Sequence, residues 1–422
     1  MAKESYFAGL DIGSKSISAA AAAEDGSGKI KIKAVVSQEL PKGLERGIVM
    51  DIGKVSDAIT SVMDELEDKL SPGSTSEINI GIRGESVQSV NNEGICNIIR
   101  TDKEINLEDV YNVIENAKAL HIKEDREIIH VIPQEFSVNK KTGYENPIGH
   151  EGTPLGVKAH IVHTSVCDIN NISHAIANSG FPHNEIIYHL YPLCEMLLSE
   201  EEKKIGTFLI DFGAETISLA AYKKGKIFFS KELPIGMDAI TFDISKSFTV
   251  SSVSARLLKE KYGFAVTSAV KDLQFPEQVE VTAMDDIRKK KVKVAELKDI
   301  IQFRLEEILL AVREEFAAEI STSEEAPLSS INNAVITGGG ALLRGMPEAV
   351  TKVLGINETR MATLNPDSFL LLDEAAWEQK YFSAIAVASY PILVRSRNEF
   401  EPEKKKYGSF KKWVSVVKEL LR

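Results

Sequence analysis

Two short motifs carry residue types suited to holding phosphate. Residues 9–21 read GLDIGSKSISAAA and residues 209–221 read LIDFGAETISLAA; at an offset of 200 they align without a gap. Each is an apolar run, an Asp-x-Gly turn and a second apolar run. Glycine in such a turn lets backbone amides approach phosphate oxygens, and a hydroxyl or ammonium adds donors. The candidate phosphate contacts are therefore Gly13, Ser14 and Lys15 in the first turn and Gly213, Ala214 and Thr216 in the second. A carboxylate repels phosphate, so Asp11 and Asp211 are expected to hold a Mg²⁺ ion through water. The alternative is a pair of turn aspartates that only cap backbone amides. A third motif, NAVITGGGALL at 333–343, reads as a buried strand, a glycine turn and the start of a helix. Gly338, Gly339, Gly340 and Ala341 would present bare backbone to a base or ribose.

These motifs need a scaffold that sets two hairpins face to face. The hairpins themselves are legible: the turns at 24–28 and 223–225 are rich in Gly and charged residues, and a strand follows the second. Between the repeats, Asp109–Leu120 reads as a helix, while Ile128–Val138 and Val157–Thr164 read as strands. The region 241–327 reads as helical, with Ala295–Ile320 its longest periodic segment. Beyond a polar linker at 396–409, residues 410–422 form an apolar stripe of Phe410, Trp413, Val414, Val417, Leu420 and Leu421. Lys411, Lys412, Lys418 and Arg422 lie opposite. An aromatic-rimmed stripe with cations on its back suits the surface of an anionic membrane.

Composition narrows the classes. With 50 Lys and Arg against 62 Asp and Glu, the net charge is −12, which disfavours general nucleic-acid binding. Three scattered cysteines, Cys96, Cys167 and Cys194, make neither a disulfide framework nor a zinc site. The histidines show no paired ligand spacing. No apolar run approaches the length of a membrane span, so any membrane attachment is expected to be peripheral.

Taken together, the three glycine motifs resemble those of the actin/Hsp70/sugar-kinase ATPase superfamily. Within it, HVIPQEFSV (130–138), NPIG (146–149), KAHIVHT (158–164), ELPIGMDAITFDI (232–244) and VITGGGALLRG (335–345) resemble the FtsA family of bacterial division proteins. That resemblance implies an α/β actin-like fold, with two duplicated mixed-sheet halves around a nucleotide cleft. The first half would comprise 1–82 and 166–195, with a small α+β domain of SHS2 type inserted at 83–165. The second would comprise 196–395, with 241–327 its outer part. It implies ATP with Mg²⁺, bound with little or no hydrolysis. Lys259 would lie near the base, and Glu195 is the candidate to orient a water. Two departures stand out: Glu215 puts an anion in the second turn, and Arg256 stands where the family commonly has Glu. The implied function is a self-assembling adaptor at the cytoplasmic face of the membrane. It would tether FtsZ at the septum through its C-terminal peptide, with Arg304 and Lys293 as contacts, and would meet other division proteins through the inserted domain. A scaffold like PilM of type IV pilus assembly and an actin-fold small-molecule kinase stay open as alternatives.

Overall fold

A computed structural model describes residues 5–395, apart from positions 41, 72, 121 and 286 and the segments 267–273 and 323–330. The linker and terminal helix expected at 396–422 lie outside the described residues.

The duplication extends well beyond the hairpins. In the first sheet, Tyr6–Ile12 pairs antiparallel with Ser16–Glu24, setting Asp11 opposite Ser18. In the second, Thr207–Phe212 pairs with Ile217–Lys223, setting Asp211 opposite Ser218. A third antiparallel strand follows in each, Ile30–Glu39 and Lys226–Leu233. On the other side of each hairpin lie two parallel strands, Thr75–Ile82 and Glu185–Tyr188 in the first sheet, Asn333–Thr337 and Glu358–Met361 in the second. Both central hairpins are buried on their two faces, so alternate side chains feed different cores. In Thr207–Phe212, Phe208, Ile210 and Phe212 enter the core of the second half, whereas Leu209 enters the core shared with the first.

The first sheet has a sixth strand that local patterning does not announce. Phe369–Leu371 pairs parallel with Ile30–Ile32, and the helix Phe382–Tyr390 packs against Tyr6–Ile12. The expected extent of the second half to 395 is therefore corrected: the chain returns to the first half from 369 onward. Gly9 explains how closely the helix settles. A Cβ there would stand 2.1 Å from the amide nitrogen of Ala388 and 2.5 Å from the carbonyl oxygen of Ala384. Ala19 to Ala22 are likewise fully buried, small residues that let the flanking layers approach.

The inserted unit is a four-stranded antiparallel sheet in the order Gln88–Cys96, Leu155–Ser165, Arg126–Val138, Lys141–Tyr144. The helix Leu107–Ala117 closes it over a separate core. Asn106 starts that helix with a reciprocal cap to Asp109. The outer part of the second half is less helical than expected. The helices Asp238–Phe248, Ser252–Tyr262 and Val294–Thr322 share it with an antiparallel pair, Gln278–Thr282 and Lys289–Lys293. The strand KKKVK buries only Val292, so its period is nearly invisible in sequence.

Candidate functional site

Each aspartate turn is closed by the same hydrogen bond. The Gly13 amide donates to the carbonyl of Ser16 at 3.1 Å, and the Gly213 amide to that of Thr216 at 3.0 Å. Both turns hang at the ends of central strands, so Asp11 and Asp211 emerge at one edge of their sheets and face each other across the halves. One side chain joins them. Arg83 Nη2 lies 2.7 Å from Asp11 Oδ1, and Nη1 lies 3.1 Å from Asp211 Oδ2. Nη2 also donates to Ser383 Oγ at 3.1 Å. The guanidinium side chain is 10% exposed, and the carboxylates 11% and 3%. Burial works against its charge, yet Asp11 and Asp211 together raise the pKa of Arg83 above the ordinary arginine value.

The neighbours of this clamp are buried and polar. The Gly84 amide donates to Glu232 Oε2 at 3.3 Å; Tyr188 and Ser218 donate their hydroxyls to the same carboxylate at 2.9 and 3.0 Å. Burial pushes the Glu232 carboxyl upward, against these hydrogen bonds and Arg83. His189 contacts Ser218 Oγ at 3.0 Å and is fully buried. Burial, reinforced by Arg83, lowers its pKa to about 3, so it stays neutral.

The remaining candidates line the same cleft on the side of the second half. Met237 and Asp238 donate their amides to the carbonyls of Gly213 and Ala214 at 3.0 and 2.8 Å. Lys15 reaches across to Asp238 Oδ2 at 2.7 Å. Lys259 Nζ donates to the Met237 carbonyl at 3.0 Å and to Thr241 Oγ1 at 2.7 Å, and burial depresses its pKa. Gly338 has φ of 85°, and a Cβ there would meet Asp211 Oδ1 at 2.2 Å. Gly340 abuts Met237 and Phe212, Ala341 is buried, and Gly339 faces open space. Ser14 is half-buried in its turn and Thr216 is buried in its own. Glu215 does not point toward a phosphate; its Oε2 accepts from the Arg46 amide at 2.8 Å. Arg256 pairs with Glu39, again across the cleft, at 3.3 Å.

Glu195 is not part of this group. It accepts from Lys203 Nζ at 2.6 Å and from the Tyr222 hydroxyl at 2.9 Å. It lines a separate cavity of about 520 Å³ with Ile132, Gln134, Tyr191 and Leu393. Arg304 and Lys293 lie on the outer part. Arg304 pairs with Asp243 at 2.5 Å and Glu307 at 2.7 Å, beside the 71%-exposed Phe303, and Lys293 pairs with Glu296 at 3.2 Å.

The clamp bears directly on the expected metal. Asp11 and Asp211 do meet, but around a guanidinium. Its two terminal nitrogens take up one oxygen of each carboxylate, so an ion placed between Asp11 and Asp211 would have to displace the arginine. Among the described residues, no group of three His, Cys, Asp or Glu side chains is arranged to hold a metal ion. The residues present in this arrangement therefore do not fit Mg²⁺.

Arg83 is the residue of this site that the sequence motifs do not reveal. Its signal is positional. Asp11 pairs with Gly81 and Asp211 with Thr337 in corresponding parallel ladders. Two residues on, Arg83 therefore occupies the place that Gly339 holds in the other half.

Comparison with known proteins bears on the fold and the family. Residues 84–163 match the model of the SHS2 domain inserted in FtsA, and residues 208–386 match that of cell division protein FtsA. The cell division protein FtsA of Streptococcus pneumoniae serotype 2 (strain D39) is 30% identical over 356 residues, 84% of this chain and 75% of that protein. The protein of the same name from Escherichia coli K12 is 26% identical over 420 residues, 98% and 97% of the two chains. Among solved structures, the PilM–PilN type IV pilus biogenesis complex aligns with a TM-score of 0.61 at 17% identity, covering 94% of this chain and 99% of that one. MreB5 of Spiroplasma citri bound to ADP aligns at 0.54 and 11% identity, covering 94% and 98%. The fold is that of the actin-like ATPases, with an SHS2 insertion, and the chain belongs to the FtsA family of bacterial cell-division proteins.

Proposed function

We propose that this chain is an ATP-binding, self-assembling membrane adaptor. It tethers filaments of the tubulin-like protein FtsZ to the cytoplasmic face of the membrane and recruits later division proteins to the septum. The observation that carries the reading is the meeting of two homologous aspartate turns across one cleft, near enough to share a guanidinium. Nucleotide would lie between these turns and the glycine turn at 338–341, with Lys259 toward the base. Phosphoryl transfer needs a base beside the phosphates. Glu195 is tied to Lys203 elsewhere, which favours nucleotide as a structural ligand over a kinase reading.

Attachment follows from magnitudes. Each cation near an anionic surface contributes about 1 kcal/mol, so a single terminal helix with four of them holds only weakly. Assembly into a filament supplies many helices at high effective concentration, and a polymer stays where a monomer leaves. FtsZ would dock on the outer part of the second half around Arg304, and other division proteins on the inserted domain.

Co-sedimentation with anionic vesicles tests the adaptor. Full-length protein should pellet and carry FtsZ with it, and deletion of residues 408–422 should leave both in the supernatant. A full-length protein that ignores such vesicles ends the tether reading. Calorimetry with ATP tests the cleft, where binding no tighter than millimolar ends the nucleotide reading.

A further inference from the structure

The geometry points to Arg83 as a built-in replacement for a divalent cation: its guanidinium closes the cleft, and its unpartnered Nε–H receives a nucleotide's phosphates without metal. This rests on the nucleotide reading above, but the closure it describes does not.

Three observations support it. The guanidinium gives one nitrogen to each loop aspartate, bridging as a cation shared by two carboxylates would. Its planar fork is well matched to that task. The arm is also held in place: Glu232 fixes the amide of the next residue, Gly84, and Ser383 accepts a further hydrogen bond from Nη2. Lastly, donors remain. Arg83 Nε and Thr337 Oγ1 are both buried without a hydrogen-bond partner. Thr337 is the register neighbour of Asp211, one of the two carboxylates that Arg83 holds. An unmatched buried donor on a cationic side chain is suited to a phosphate oxygen. The pseudosymmetry explains the geometry: the first half sends an arginine from the position at which the second half leaves Gly339.

The test is ATP binding by calorimetry to the whole chain, in EDTA and in MgCl₂ in excess over ATP. The unaltered chain should show affinities within about threefold of each other, and Arg83→Ser should lose at least about tenfold in EDTA and recover with Mg²⁺. An unaltered chain whose affinity rises tenfold or more with Mg²⁺ overturns the proposal, and this arm needs no variant to fold. Arg83→Lys, which keeps charge but cannot fork, should fall between the two; Lys binding like Arg in EDTA overturns the fork. If no ATP binds in either buffer, the nucleotide reading fails, and closure is judged by hydrogen exchange in EDTA without nucleotide. Amides of Gly84 and Asp238 should then exchange about tenfold faster in Arg83→Ser than in the unaltered chain, and equal rates overturn the clamp.

Discussion

Acid should loosen the seam between the inserted domain and the second half, and His160 sets the size of the effect. Its ring is 1% exposed, with Nδ1 at 2.8 Å from Asn91 Oδ1 and Nε2 at 2.8 Å from Ser230 Oγ. Burial, aided by nearby His130, lowers its pKa from 6.5 to about 3. A histidine with a depressed native pKa stays neutral when folded but takes up a proton when unfolded. Its stabilisation is thus complete above about pH 6.5 and is lost as pH falls toward about 3. Each pH unit in that window costs about 1.36 kcal/mol, so at pH 5.0 the loss is about 2 kcal/mol. Other groups also titrate there, so the measurement is a difference. Chemical denaturation of the unaltered chain and of His160→Gln is compared at pH 7.5 and 5.0, where the constant cost of the substitution cancels. The unaltered chain should lose about 2 kcal/mol more than the variant. Equal losses, or a His160 NMR titration near pH 6.5, would refute the reasoning.

Three further outcomes are expected. Gly9→Val places a side chain against the backbone of Phe382–Tyr390 and should cost about 3 kcal/mol, read as a fall in thermal midpoint; an unchanged midpoint contradicts the packing. Lys203→Ala strips the cation from Glu195, leaving it the Tyr222 hydroxyl; because Glu195 keeps some solvent contact, the loss should be near the low end for a buried pair, about 3 kcal/mol in denaturant titration. Arg304→Glu gathers three acids beside Phe303 and should weaken binding of the FtsZ C-terminal peptide by about tenfold in fluorescence anisotropy, with an unchanged curve placing the peptide elsewhere.

What could be read in the residues follows from how local the determinants are. The two hairpins are legible because strand, turn and strand are contiguous and the Asp-x-Gly turn recurs at a fixed offset. The helix Val294–Thr322 and the strands Arg126–Val138 and Leu155–Ser165 lie within a few residues of their expected limits, since each buries a periodic face. The return of Phe369–Leu371 to Ile30–Ile32 joins segments some 340 residues apart, and parallel pairing across that distance leaves no local pattern. Arg83 is hidden for a related reason. An arginine between Ile82 and Gly84 reads as a surface charge until the sheets show that two distant carboxylates converge on it. Glu215 shows the converse: its turn position suggests an anion near phosphate, but a backbone amide of the other half draws the side chain away.

The inserted domain does more than decorate the first half. Ser89, Asn91 and Gln134 donate to the carbonyls of Ser230, Phe228 and Ile227 at 2.6–2.7 Å, while His160 holds the Ser230 hydroxyl. The outermost strand of the second sheet is thus capped by side chains, and a second copy cannot continue that sheet by adding a strand there. Because the domain is covalently rooted in one half and laced to the other, any swing of the halves becomes a sliding of this lacing. Separating the halves would therefore have to break these hydrogen bonds or carry the domain along.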